Sequence, residues 1–212
     1  QQAERVKDYM NYLIMDEMKE YEPEFDSMLF HLPLAGSTFK KVYYDDLLGR
    51  AVSKFVPADD LVVPYTATSL EDAESIIHVI KMSENDLRKQ QVGGFYNDIE
   101  LGSPAVVRNE VEAKERELEG TKKTGRPEDV YTLLECHVNL DLEGFEDKDA
   151  EGNDTGIRLP YIVTVEEGSR KVLSIRRNFN PDDPRKNRIP YFVHFKFLPG
   201  LGFYGFGLIH MI

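Results

Sequence analysis

The stretch Val130-Tyr131-Thr132-Leu133-Leu134-Glu135-Cys136-His137-Val138-Asn139-Leu140-Asp141-Leu142 decides the architecture of the chain. Leu134, Cys136, Val138 and Leu140 alternate with Glu135, His137, Asn139 and Asp141, the period of two that a pleated strand imposes. The pattern predicts a strand whose apolar set faces a core and whose polar set faces water. A one-residue slip would bury Glu135 and Asp141, so the register is expected to be firm. Downstream, 161–165, 172–175 and 191–197 are rich in β-branched and aromatic residues and predict further strands. Polar loops at 146–155 and 178–188 join them. The second half therefore reads as an antiparallel meander, with 146–155 as an exposed tip.

Upstream the period changes. Val6, Met10, Leu13, Ile14 and Met18 share one face at helical spacing, and Pro23 is expected to break that helix. A second helix, with Phe25, Met28, Leu29 and Leu32 inward, runs to about Pro33. Ala35-Gly36-Ser37 then turns the chain into a hairpin, 38–45 and 50–56, about the turn Asp45-Asp46-Leu47-Leu48-Gly49. Leu61-Val62-Val63-Pro64-Tyr65 is a short extended piece. Ser69-Leu70-Glu71-Asp72 has the form of a capping box and predicts a helix of about two turns. Ile76-Ile77-His78-Val79-Ile80 reads as a buried strand. Ser83-Glu84-Asn85-Asp86 caps a further helix carrying Leu87 and Val92, which Gly93-Gly94 ends. From Pro104 to Leu118 the pattern is a highly charged helix with few apolar positions, followed by a basic linker, 121–126. The fold class is α+β, with helices and short antiparallel hairpins in the first half and mainly antiparallel strands in the second. The expected division is 1–101 and 102–212.

The 212 residues, 41% apolar and 11% aromatic, suffice for a packed core, and no apolar run reaches the length of a membrane span. A lone cysteine, Cys136, excludes an intrachain disulfide and fits a reducing compartment. The net charge of −12 argues against a free-standing nucleic-acid binder. It is unevenly spread: residues 1–100 carry 19 acids and 10 bases, 101–160 carry 15 and 8, and 161–212 carry 4 and 8. The start at Gln1 and the apolar stretch ending at Ile212 are expected to be cuts through a longer chain.

No constellation of catalytic, cofactor-binding or metal-ligating residues emerges, so an enzyme is not expected. Asp147-Lys148-Asp149-Ala150-Glu151-Gly152-Asn153 resembles the start of an EF-hand loop. Its closing position is Arg158, however, and no helices flank it. His31, His78, His137, His194 and His210 lack the spacing by which one element offers two ligands. Cys136 and His137 point to opposite faces of a strand and cannot form a nucleophile–base dyad. Asp59-Asp60 and Asp182-Asp183 sit beside prolines, where carboxylates organise turns. Pro199-Gly200-Leu201-Gly202-Phe203-Tyr204-Gly205-Phe206-Gly207 lacks the Lys-Ser/Thr of a phosphate loop, and suits a tight loop packed on a sheet.

Three stretches resemble the portal proteins of short-tailed phages and prophages. The first is Leu32-Pro33-Leu34-Ala35-Gly36-Ser37-Thr38-Phe39-Lys40-Lys41-Val42-Tyr43-Tyr44-Asp45 with Phe55-Val56-Pro57-Ala58-Asp59-Asp60-Leu61-Val62-Val63-Pro64-Tyr65. The second is His78-Val79-Ile80-Lys81-Met82-Ser83-Glu84-Asn85-Asp86-Leu87-Arg88, and the third Gly202-Phe203-Tyr204-Gly205-Phe206-Gly207-Leu208-Ile209-His210. The resemblance runs from about residue 24 to the end. It implies a virion structural subunit, made in the bacterial cytoplasm, in a ring of about twelve copies at one capsid vertex. Such a ring docks the terminase large subunit, passes double-stranded DNA without sequence specificity during packaging and ejection, and contacts tail adaptor, capsid and scaffolding proteins. It implies no membrane partner and no cofactor. By the same resemblance 1–101 would be a wing-like body and 102–212 a stem and clip. Acidic balance fits a conduit, because a strongly basic lining would hold phosphates. The alternatives are another virion protein such as a tail adaptor, or a small hydrolase or metal-binding domain.

Overall fold

The computed structural model describes residues 2–46, 48–102, 130–148 and 151–211. The charged helix expected at 104–118 and the linker at 121–126 lie outside them. The chain opens with α1 (Gln2–Tyr12), a single π turn (Leu13–Glu17) and α2 (Tyr21–Ala35). Pro23 does not break a continuing helix. It sits in the first turn of α2, where its missing N–H removes no intrahelical bond. Gly36, at φ 81°, closes α2 in the left-handed conformation, its N–H donating to Leu32 O at 2.9 Å.

Among the described residues eight strands form two antiparallel sheets. β1 (Ser37–Asp45) and β2 (Arg50–Pro57) form the expected hairpin, and β8 (Phe192–Lys196) adds to its other side, giving the order β2-β1-β8. β3 (Leu61–Val62), β4 (Ser75–Ser83), β5 (Val130–Leu140), β6 (Leu159–Glu166) and β7 (Val172–Arg177) form the second sheet in sequence order. The meander thus holds through β7 only. The last predicted strand leaves it and pairs with β1, Ser37 opposite Lys196. Strands from either side of residue 101 pair in both sheets, β4 with β5 and β1 with β8, so the division at 101/102 cuts through each.

α2 packs across β1 and β2, and the other face of the three-stranded sheet meets the five-stranded one through a shared buried cluster and the Lys41–Glu135 bond. Between the sheets Phe39, Val56, Leu61, Ile76, Phe192 and Phe203 form a buried cluster. A second cluster, Leu87, Tyr96, Tyr131, Leu133 and Leu173, extends it beneath α3 (Glu84–Val92). Ser83 caps α3 as expected, its Oγ accepting from Asp86 N at 3.2 Å. Of the two apolar residues the helix carries, Leu87 is buried and Val92 is 79% exposed. Gln91 takes the inward place, because its amide donates to the Asn97 and Ile99 carbonyls and satisfies the turn that follows.

The predicted helix at 69 is a turn. Its capping bonds do form: Asp72 accepts from the Thr68 and Ser69 amides, and Asp72 N donates to Ser69 Oγ at 3.3 Å. Ala73 is already buried and β4 starts at Ser75, so no residues remain for a helix. Leu29, expected inward on α2, is also exposed.

Candidate functional site

The largest departure from expectation lies on β5. Its buried residues are Tyr131, Leu133, Glu135 and His137, whereas Leu134, Cys136 and Val138 are only half-buried. The alternation is intact, but Glu135 (5% exposed) and His137 (2%) point into the space between the sheets. The reason lies on β1, where the period of two brings Phe39, Lys41 and Tyr43 to the side facing the second sheet. Lys41 Nζ donates to Glu135 Oε1 at 2.6 Å. An acid buried opposite a lysine is tolerated where the same acid among aliphatic side chains would not be.

Pairing gathers the rest. On β4, His78 stands directly across from Glu135, and on β6 Thr164 does the same. His137 Nε2 lies 2.9 Å from Glu135 Oε1, and His137 Nδ1 lies 3.4 Å from Asn178 Nδ2. One tautomer satisfies both contacts: Nε2–H donates to the carboxylate and Nδ1 accepts from the amide. His78 Nδ1 is 4.0 Å from the same carboxylate oxygen and makes no hydrogen bond. Phe192 closes the cluster edge-on to both imidazoles, with centroids at 5.6 and 5.2 Å.

The electrostatics follow from burial. Burial opposes ionisation of Glu135, but the His137 hydrogen bond and the Lys41 charge outweigh it and hold the carboxyl below the usual range. Burial lowers Lys41, against the pull of Glu135. It also pushes His78 down to about 4, with the Lys41 charge adding to the effect. His137 is lowered by burial as well. Near neutral pH the cluster is thus a lysine–carboxylate pair between two uncharged histidines. The ion pair bridges β1 of one sheet to β5 of the other and is lined by aromatic rings, so its chemistry is that of an interlock. His78, His137 and Glu135 come together although no local spacing joins them. The signal was present as two strands, His78 on one and Glu135-Cys136-His137 on the other, and only their pairing register makes it visible.

Other candidates fall elsewhere. Cys136 and His137 do point apart, and the other histidines lie outside the cluster: His194 stacks on Phe39, and His31 bonds Ser27 O. Of the expected tip, Lys148 and residues 151–155 are exposed, Glu146 is half-buried, and Asp147 is buried. Thr155 Oγ1 donates to Asp147 Oδ2 at 2.7 Å, and the Lys186 ammonium meets Oδ1. A lysine thus neutralises the carboxylate that a calcium loop would aim at its ion. Among the described residues no three His, Cys, Asp or Glu side chains are arranged to hold a metal ion. Asp183 organises its turn, accepting from the Arg185 and Asn187 amides.

The glycine–aromatic end is a backbone crossing. A Cβ on Gly207 would lie 2.3 Å from Leu34 O, and one on Gly205 2.6 Å from Gly36 O. Phe203 enters the inter-sheet cluster, while Tyr204, Phe206, Leu208, Ile209 and Met211 stay exposed.

A second feature is what the chain leaves uncovered. No residue of α1 is buried. Val6, Tyr9, Met10 and Met15 are exposed, the last at 76%, and so are Leu29 and Phe30 of α2. Two shallow depressions mark this surface, one lined by Gln2, Arg5, Val6 and Tyr9, the other by Glu22, Pro23, Phe25, Asp26 and Leu29. Bidentate bonds between Arg50 and Glu20 anchor the base of the arm to β2, and the Phe55 amide donates to Glu24. Among the described residues no helix is long and apolar enough to cross a membrane. No protein-family model matches the chain, and no curated protein matches it.

Proposed function

We propose that this chain is a structural part of a phage portal subunit, one copy in a ring of about twelve at the capsid vertex, without catalytic activity of its own. The observation that carries the reading is the helical arm. A helix with none of its residues buried, and with Val6, Tyr9, Met10 and Met15 in water, is stabilised poorly within its own chain. Contiguous apolar surface of this kind belongs to an assembly interface. The inter-sheet cluster supports the same reading, because its ionisable groups are spent on holding two layers together. The three portal-like stretches supply the identity of the assembly, and the net charge of −12 suits a conduit along which DNA slides. In this role the ring docks the terminase large subunit, admits DNA and holds tail adaptors within the virion.

Electron microscopy of the purified full-length protein tests the proposal. Closed rings with an axial opening are the expected result. A monodisperse monomer at micromolar concentration, with a native far-UV spectrum, would overturn it.

A further inference from the structure

Among the described residues, the outer face of the five-stranded sheet is a second surface left largely uncovered; at the start of β6 only, Leu159 and Tyr161 are buried on that side, against Phe179. Register places Ile77 of β4, Cys136 of β5, Val163 of β6 and Ile175 of β7 in one cross-strand row, and Val79, Leu134, Val165 and Val172 in the next. None of these eight is buried, and Ile175 is 50% exposed. The two rows hold no charged side chain. An antiparallel sheet with one solvated face ordinarily shows polar residues there. A continuous apolar face needs a covering layer.

We infer that the helical arm of one copy seats on this outer sheet face of the neighbouring copy, along its β7 margin. The inference rests on the ring reading and specifies which surfaces meet. Charge selects the pairing. Residues 2–26, which include α1 and the π turn, carry eight acids and three bases. Around β7, Arg170 and Lys171 before it and Arg177 at its outer side are basic and exposed, and residues 170–177 hold no acid; Arg176 lies on the inner side, its guanidinium over the Phe95 ring. Arm against arm would confront two acidic surfaces, and sheet against sheet two basic margins. Arm against sheet brings opposite charges together around an apolar centre, the arrangement that favours encounter and fixes register. The chain's own arm does not cover the face, since α1 buries nothing. Two different surfaces on one chain make a head-to-tail contact, which closes into a ring when the rotation between copies divides a full turn.

The test uses the full-length protein and its single native cysteine, Cys136, which lies on the face. In a Met10→Cys variant, a short bis-maleimide links arm to face between copies and is expected to give a ladder of multimers on denaturing gels. Wild type and the Met10→Cys/Cys136→Ser variant give at most dimers. Independently, Arg170→Glu/Arg177→Glu is expected to weaken ring assembly about tenfold at low ionic strength, and adding Asp8→Lys/Asp16→Lys to restore it. Far-UV spectra and melting temperatures confirm that each variant is folded. Rings without a ladder, or with assembly indifferent to the charge reversals, overturn the arm-on-sheet contact and leave the ring reading intact. Absence of rings in the wild type overturns both.

Discussion

The two faces of the five-stranded sheet are made by the same strands and obey opposite rules. The inner face carries Glu135, His137, His78 and Thr164, polar groups sealed behind a second sheet. The outer face carries Ile77, Val79, Leu134, Cys136 and Val165, apolar groups left half-buried. Neighbours on β5 belong to different worlds. What decides between them is the opposing layer and not hydrophobicity: β1 brings Lys41 to the inner side, and a carboxylate there is worth more than a leucine. Among the described residues no second sheet faces the outer side, where only Phe179 packs, against Leu159 and Tyr161 at the start of β6. The difference teaches that period fixes a strand's two faces, while its partners fix which one is the core.

The sharpest way to break this comparison is to take away the inner partner. Lys41→Met leaves Glu135 buried without its cation, and is expected to destabilise the fold by about 3–5 kcal/mol in urea denaturation. Lys41→Met/Glu135→Leu removes both charges and is expected to recover most of that loss. A single-variant cost below about 1 kcal/mol would show that the pair does not hold the sheets together. The second measurement is acid stability. His78 is held at about 4 by burial, and the Lys41 charge assists. Unfolded, its imidazole titrates near the ordinary value of about 6.5. Between those values the unfolded chain binds more protons, so stability rises with pH there and is lost on acidification, by about 3 kcal/mol at most. Glu135, also depressed, acts with the same sign below about pH 4.5. His137, also lowered by burial, acts with the same sign as His78. Melting temperature from pH 7 to pH 4 reads the effect. His78→Leu is expected to flatten the slope, and an unchanged slope would assign it to other groups.

Much of the fold was legible in the sequence, because periodicity and turn chemistry are local. The β1–β2 hairpin, β4 with its Ser83-capped helix, and β5 to β7 stand where alternation and caps put them. Three things were not local. The orientation of β5 depends on Lys41, 94 residues away, so the rule that apolar means inward chose the wrong face. The departure of β8 to the first sheet depends on an edge offered by β1, which no feature of 192–196 announces. The turn at 69–72 makes the capping bonds of a helix, and only the burial of Ala73 and the start of β4 deny it one. The site was legible least: a cross-strand pair is invisible until the register is known.

On the outer face the expected effects are smaller in the isolated subunit and larger in the assembly. Leu134→Ser removes a half-buried side chain from the surface that the proposed contact places beneath the arm of another copy. It is expected to cost about 1 kcal/mol or less in the dissociated subunit. In the ring the same change should weaken association measurably by sedimentation. A loss of several kcal/mol in the dissociated subunit would mean that its own chain already covers the face.

The smallest effect concerns Cys136, which sits on the outer face while its neighbour Glu135 sits on the inner one. Burial raises its thiol, and the Glu135 charge adds to the rise. The thiolate is the reactive form, so alkylation near neutral pH should run several-fold slower than for a free cysteine. Its pH profile should have a midpoint above the ordinary value of about 8.5. The two causes separate by variant. Glu135→Gln removes the charge and leaves Cys136 where it is, so the midpoint is expected to fall slightly without reaching the ordinary value. Assembly separates the faces: a neighbouring arm over Cys136 slows the reaction further, while nothing on the inner side changes. Iodoacetamide kinetics on dissociated and assembled protein, followed by mass spectrometry, give both comparisons. Equal rates in the two states would show that the outer face stays open to water after assembly, and the contrast between the faces would then lie within one subunit alone.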